Sequence, residues 1–422
     1  MTPWIVSAVV SATLLLILMR PRGITEAWIA LGGALALLAT GVVDLSELPD
    51  IAGESLDVLL FLLGMMTLTG IVERAGIFDL LAESCARAAR GSGRRLYVLL
   101  FLLGAVVTAL LSLDVTVIVL TPIVYAVTRR RGLDPLPFLF ATAFVANTAS
   151  LALPVSNLTN LLLFDALELS FAQFAATMWL PNLVAALTNL ALFLWLFRDR
   201  IPRHISRMPV VQESGPLLRV ATRRWQAVTS VALVVTLVVL LAFGLAGLPL
   251  WWASIGGGAA LLAAAALAGR ITVTQAVSDV SWSLGVFVVA MTVLVRGVES
   301  TWLTDIQPEL PGSTGATIGA GVVAGALGSN VINNVPMTIL ARSVLEGLPL
   351  ADRAIAAWAV LVGVNIGPAL TTYGSLATML WLTVVRRNGI DVTTASYLRV
   401  SLITVPIVLT TTSLALWLVL AL

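Results

Sequence analysis

Between two apolar runs, residues 317–328 and 335–344, stands the segment SNVINNVP, with Ser329, Asn330, Asn333 and Asn334 just ahead of Pro336. Each run reads as about a dozen residues or fewer, whereas a helix needs ~20 to cross a bilayer. Neither flank spans alone on that count, so the polar tip and its two half-length arms are read as a re-entrant hairpin. Irregular backbone is tolerated at membrane depth only where protein or a watery cavity surrounds it. The tip is therefore the expected place for a solute.

Composition supplies the membrane that this reading needs. With 59% hydrophobic and 11% charged residues among 422, and a mean hydropathy of +1.02, the chain is read as an all-α polytopic membrane protein rather than a soluble enzyme with a large core. A net charge of +2 gives no ground for a nucleic-acid partner. One cysteine, Cys85, and one histidine, His204, exclude a disulfide framework and an ordinary Cys/His metal site, and no cofactor is expected. Cys85 is read as packing in an amphipathic stretch, and His204 as solvated.

All 24 basic residues are Arg, and their placement sets the topology. Full spans are read at residues 4–19, 27–43, 56–72, 137–163, 171–197, 225–243, 251–267, 282–298, 354–385 and 395–420. Hairpins are read at about 96–127 and about 317–345. The first apolar run is followed, not preceded, by Arg20 and Arg22, so it is read as a retained span with its N-terminus outside. If residues 96–127 crossed once, Arg94 and Arg95 would face the opposite side from Arg129, Arg130 and Arg131; a hairpin keeps all five together. The same phase puts Arg198, Arg200, Arg203, Arg207, Arg219, Arg223 and Arg224 in the cytoplasm, and the acidic loops 44–57 and 165–168 and both termini outside an inner (plasma) membrane. Arg296, Arg342 and Arg353 are exceptions, with Arg296 and Glu299 read as an interfacial ion pair.

Folding the chain at the Arg-rich linker 198–224 exposes a repeat of residues 1–197 in residues 225–422. Trp28, Gly32, Gly33, Leu37 and Leu38 recur as Trp252, Gly256, Gly257, Leu261 and Leu262, and Glu73 and Asp79 recur as Glu299 and Asp305. Each half then holds five spans and one hairpin, and the odd number predicts two inverted repeats. The repeat also aligns ANTASLALPVSNLTN (146–160) with VNIGPALTTYGSLAT (364–378), setting Asn147 opposite Asn365. Pro154 in one, and Gly367, Pro368 and Gly374 in the other, are suited to interrupt a helix near the midplane and free its carbonyls and amides. Broken helices are expected at about 137–163 and about 354–385.

The first hairpin tip, LSLDVTVIVLTPIV (111–124), holds Asp114, the one carboxylate placed deep in the membrane. A charge there costs at least ~2.5 kcal/mol on insertion scales. Asp114 is read as a proton carrier; the alternatives are a helix N-cap or a partner for a hydroxyl such as Thr116.

The motifs LDVTVIVLTPIV (113–124) and SNVINNVP (329–336), with the repeat plan, resemble the arsenite and antimonite efflux permeases of the ArsB family within the ion transporter superfamily. In that family the first tip carries Asn followed by Asp; here Leu113 precedes Asp114. The resemblance implies export of arsenite or antimonite, as a neutral trihydroxide, in exchange for protons by alternating access. It also implies a cytosolic ATPase as a possible partner. Asn147, Thr148, Ser329, Asn330, Asn333, Asn334, Asn365 and Thr371 are expected to line the solute site, and Asp114 to couple protons. A sodium/proton antiporter or an organic-anion transporter of the same superfamily is the alternative. A homodimer is compatible with the apolar surfaces, and lipid covers them equally well. An intramembrane enzyme would need a metal-binding acidic pair or a nucleophile with a base, and neither stands near the breaks.

Overall fold

The computed structural model describes residues 2–19, 24–166, 170–205, 222–303 and 310–421. Arg20, Arg22, Arg207, Arg219, Asp305 and residues 167–168, all used in the sequence reading, lie outside the described residues.

Among the described residues every regular element is helical. The first half runs α1 (Thr2–Met19), α2 (Glu26–Ala39), α3 (Leu48–Arg74), α4 (Ile77–Ala88), α5 (Gly93–Leu110), α6 (Leu113–Val115), α7 (Thr121–Arg129), α8 (Pro135–Thr148), α9 (Leu158–Ala166) and α10 (Phe171–Leu196). The second runs α11 (Arg223–Leu245), α12 (Leu250–Leu267), α13 (Val273–Asp279), α14 (Trp282–Val298), α15 (Thr314–Ile332), α16 (Asn334–Glu346), α17 (Leu350–Ile366), α18 (Leu376–Arg387) and α19 (Thr394–Ala421). By length and composition, nine described helices can cross a membrane, so the chain is a multi-pass membrane protein. One turn of π-helix, Thr116–Leu120, joins α6 to α7.

One expectation needs correction. The first arm of the second hairpin is not half-length: α15 has 19 residues and is itself long enough to span. Ser329 and Asn330 were read as part of an irregular tip, but the helix runs through them. The Asn330 amide donates to Ala326 O at 2.8 Å, one turn back, and so stays inside the helix it was expected to end. The irregular point narrows to Asn333, at φ 76° and ψ 156°. Beyond it the chain turns back, so that a Cβ placed on Gly328 would meet Met337 Sδ at 2.2 Å. The first hairpin closes likewise: Thr108 and Thr116 hydroxyls lie 2.7 Å apart across the tip.

Small residues set the closest helix approaches. α3 packs along α12 where Gly64 meets Gly258: a Cβ on Gly258 would lie 2.7 Å from Gly64 O. α15 packs along α17, where a Cβ on Gly325 would lie 2.9 Å from Val360 O and one on Gly363 2.5 Å from Val322 O. In lipid, where apolar surface gains nothing from meeting apolar surface, such close backbone contact is a main source of helix association. Gly367 and Gly374, read as helix breakers, act in the same way. Neither has positive φ, and a Cβ would strike Ala326 Cα at 2.4 Å and Pro368 O at 2.5 Å respectively.

The halves also cross. The return arm α16 packs on α9 of the other half, and α18 packs on the π-turn and α7. An aromatic block joins α8, α10, α18 and α19: Phe144 lies 4.9 Å from Phe193 and 5.5 Å from Tyr397, and Phe140 lies 5.5 Å from Trp381. Trp381 Nε1 donates to Leu139 O at 2.9 Å, which ties α18 to α8.

Polar contacts gather the Arg-rich ends on one face. Arg74 grips Asp279 with two bonds of 2.6 Å, Arg131 meets Glu83 at 2.7 Å, and Arg200 meets Asp134 at 2.8 Å. The Gln226 amide reaches Ala75 O at 3.2 Å, bringing the start of α11 to the same face. Arg296 pairs with Glu299 at 3.5 Å, Arg342 with Glu346 at 2.8 Å, and Arg353 donates to Glu346 O at 2.6 Å. The three exceptions to the charge pattern thus have local partners.

The glycine seam yields a paired prediction. Gly325→Val forces α15 off α17 and is expected to cost about 1–3 kcal/mol or more, seen as a lower melting temperature in detergent. Gly319→Val on the same helix, where a Cβ meets nothing within 4 Å, is expected to leave it within error of the parent.

Candidate functional site

Both long segments with mid-helix Pro or Gly are interrupted. α8 stops at Thr148 and α9 begins at Leu158, with only a 3-10 turn, Pro154–Ser156, between them. α17 stops at Ile366, a 3-10 turn covers Gly367–Leu370, and α18 begins at Leu376. Each second half-helix starts on a side-chain cap: the Asn157 carboxamide oxygen accepts from Thr159 N at 3.3 Å, and Ser375 Oγ from Thr378 N at 3.1 Å.

The two breaks are held together by Asn365, in the last turn of α17. Its Oδ1 accepts from Ser150 Oγ at 2.8 Å and Asn157 Nδ2 at 2.6 Å; its Nδ2 donates to Asn160 Oδ1 at 2.9 Å and Leu361 O at 2.8 Å. An amide has two donors and two acceptor sites. All four are taken, which makes Asn365 a structural node between the two breaks. Asn160 extends the node, donating to Ser150 O at 2.6 Å and Leu153 O at 3.0 Å across the break. Thr148 is occupied too, donating to Phe144 O and accepting from Asn189, each at 2.9 Å. Asn147 donates to Ala143 O at 2.9 Å.

The second tip is stapled to the second break in the same way. Asn330 donates to Gly367 O at 2.7 Å and accepts from the Thr371 backbone N at 3.1 Å and hydroxyl at 2.7 Å. With its bond to Ala326 O it is saturated. Asn333 donates to Tyr373 O at 3.1 Å, and Asn334 N donates to Gly374 O at 3.0 Å. The Asn333 backbone lies in a region nearly restricted to glycine, a strain of order 1–3 kcal/mol that the stapled tip sustains.

What is left over is informative. Among the described residues Ser329 Oγ, Asn334 Oδ1 and Thr159 Oγ1 are buried without a hydrogen-bond partner. A buried polar atom of this kind costs about 1–3 kcal/mol. Ser329 and Asn334 flank the strained tip, and Thr159 sits at the start of α9, the helix that α16 packs against. Two neutral oxygens therefore flank the second tip without a partner, and a third lies on the helix packed against its return arm.

Asp114 lies elsewhere. It is half-buried on a cavity of about 540 Å³ between α3, the first tip and α9, whose wall also includes Glu73, Arg74, Asp79 and Asp279 near the Arg-rich face. None of the amides expected to line the solute site belongs to that wall. The alternatives for Asp114 have other occupants: Ser112 Oγ caps α6, accepting from Val115 N at 3.3 Å, and the Thr116 hydroxyl is paired with Thr108. The carboxylate is left facing the cavity. At the cavity mouth, burial pushes the Asp79 carboxyl above its ordinary range, with Arg130 pulling the other way.

Ser150, Asn157, Asn160 and Thr159 were not singled out from the sequence. A signal existed for one of them: the repeat sets Asn157 opposite Ser375, two capping residues at matching places.

Helices broken at depth, two folded-back hairpins and a cavity leading to a carboxylate define a membrane transporter, not an enzyme. The chain belongs to the family described as "Citrate transporter", whose model matches residues 14–363. It is also similar, at 28% identity over 416 residues covering 96% of both chains, to the "Arsenical pump membrane protein" of Escherichia coli. The protein of that name from Yersinia enterocolitica is 29% identical over 415 residues, 94% of this chain and 95% of its own length. These relatives carry the ArsB resemblance across nearly the full length. The crystal structure of the Alcanivorax borkumensis YdaH transporter shares the fold, with a TM-score of 0.59 at 14% identity, covering 98% of this chain and 96% of that one.

The hydrogen-bond pattern separates node from ligand. Asn365→Leu strands the Asn157 amide donor and the Asn160 amide oxygen, while Ser150 keeps Asn147 O, and is expected to cost about 1–3 kcal/mol of stability for each stranded group, seen as a lower melting temperature. Ser329→Ala removes a buried hydroxyl that no described group hydrogen-bonds. It is expected to leave the melting temperature within error of the parent, in contrast to Asn365→Leu.

Proposed function

We propose that the protein exports arsenite or antimonite in exchange for protons. The observation that carries this reading is the neutrality of the second tip: its hydrogen-bond partners are amides, hydroxyls, carbonyls and the Met379 thioether, with Ser329 Oγ and Asn334 Oδ1 unpartnered. A neutral trihydroxide carries its own donors and acceptors and needs no counter-charge. A citrate-like polyanion would need cations, and the guanidinium nearest Asp114 on its cavity wall, Arg74, is already gripped by Asp279. The names of the arsenical pump relatives favour the same substrate.

In this reading Asp114 carries the proton, loading and unloading through the cavity, while Ser329, Asn333, Asn334 and Thr159 contact the solute. Asn147, Thr148, Asn330, Asn365 and Thr371 hold the breaks in register. The two halves are inverted repeats, supported by the matching order of elements and by the reciprocal crossing of α9 on α16 and of α18 on α7. The Arg-rich face is cytoplasmic and both termini are outside. The carboxylates around Asp114 favour one other reading, a sodium/proton antiporter.

The test is arsenite accumulation by inside-out vesicles containing the purified protein, with an inside-acid gradient and then with the gradient collapsed. Wild type is expected to accumulate arsenite only with the gradient, and Asp114→Asn to reach no more than passive equilibration. Concentrative uptake by Asp114→Asn rules out the proton role, and gradient dissipation by sodium but not arsenite moves the assignment to the antiporter.

A further inference from the structure

The cavity that reaches Asp114 has a counterpart. A second cavity, of about 490 Å³, opens at the opposite end of α3, walled by Asp57, Val58, Phe171 and the α11–α12 turn at Gly247 and Pro249. The two cavities share two wall residues, Phe61 of α3 and Leu161 of α9. α3 and α9 touch and run in opposite senses along this line: Val58 and Phe164 border only the second cavity, Met66 and Leu158 only the first. Phe61 and Leu161 are only 3% and 5% exposed, so the space closes at these two side chains.

We propose that Phe61 and Leu161 form the gate of a single water route along α3 and α9, closed here on the side of Asp57 and open past Asp114 to the Arg-rich face. Two cavities at opposite ends of α3 have this one pair of buried apolar side chains in common in their walls. An apolar constriction stops ions and water by dewetting, and one formed by a residue of α3 and a residue of α9 opens when α9 is displaced. The side chains serve as a barrier and touch no reacting group. The inference rests on the transporter class and not on which solute is carried.

The test reads accessibility, not transport. In a Cys85→Ser background, Val58→Cys and Met66→Cys are each placed in reconstituted vesicles without solute, and a membrane-impermeant sulfonate thiol reagent is added to one side at a time. With the gate intact, Val58→Cys is expected to react only from the Asp57 face and Met66→Cys only from the Arg-rich face. Adding Phe61→Ala with Leu161→Ala is expected to raise the reaction from the wrong side about tenfold or more and to speed proton leakage, while Phe61→Leu keeps the sidedness. Reaction of either thiol from both faces with Phe61 and Leu161 in place overturns the proposal, as does unchanged sidedness in the double alanine variant. If that variant does not fold, opposite sidedness of the two thiols in the intact gate supports the proposal and shared sidedness overturns it. Because no arsenite is used, failure here is distinct from failure of the substrate assignment.

Discussion

Backbone that leaves the helical ladder inside a bilayer must find its hydrogen bonds within the protein, because lipid offers none. The arrangement of this chain follows from that one demand. Two helices are interrupted at depth, and the carbonyls released at Ser150, Leu153, Gly367 and Tyr373 are taken up by the side chains of Asn160, Asn330 and Asn333. Asparagine is suited to the task since one short side chain both donates and accepts. The cluster of amides in an apolar chain is therefore first of all a repair of broken helices.

Much of this was legible before any coordinates. SNVINNVP marks the second tip because amides in such numbers have no other use in an apolar stretch, and Pro154 and Pro368 mark the breaks because proline removes a donor. The division of labour among the amides was not legible. Asn365 reads as a ligand in isolation, but its partners Asn157 and Asn160 stand 208 and 205 residues away. Sequence spacing carries no trace of such a meeting. The length of α15 was misread for the opposite reason: Ser329 and Asn330 look like helix-ending residues, yet Asn330 bonds one turn back and the helix continues. Gly367 and Gly374 were read as residues suited to interrupt a helix, and the helix is interrupted there; what the sequence did not show is that each is also small because a neighbouring backbone lies against it.

Charged and neutral polar groups are separated in this fold. The carboxylates Glu73, Asp79, Asp114 and Asp279 line one cavity, whereas the unpartnered oxygens of Ser329 and Asn334 lie at the second tip and that of Thr159 on α9, which packs against the tip's return arm. α9 borders both, through Leu158 and Leu161 on one side and its packing on α16 on the other. A displacement of α9 is thus felt at the carboxylate and at the neutral tip together. Two chemically unlike events can be linked without any direct contact between the groups that perform them.

The aromatic block that joins α8, α10, α18 and α19 adds a mechanical consequence. Phe140, Phe144, Phe193, Trp381 and Tyr397 pack ring against ring at tilted and edge-on angles, and such packing is bistable or rigid rather than elastic. Strain has to be released at a softer seam, and the surface of α3 is one: Met65 and Met66 lie on the cavity wall beside Leu62. Methionine has three rotatable bonds and a polarizable sulfur, so it can exchange one set of neighbours for another at little cost. Rearrangement is therefore easier along the methionine-faced surface of α3 than inside the aromatic block.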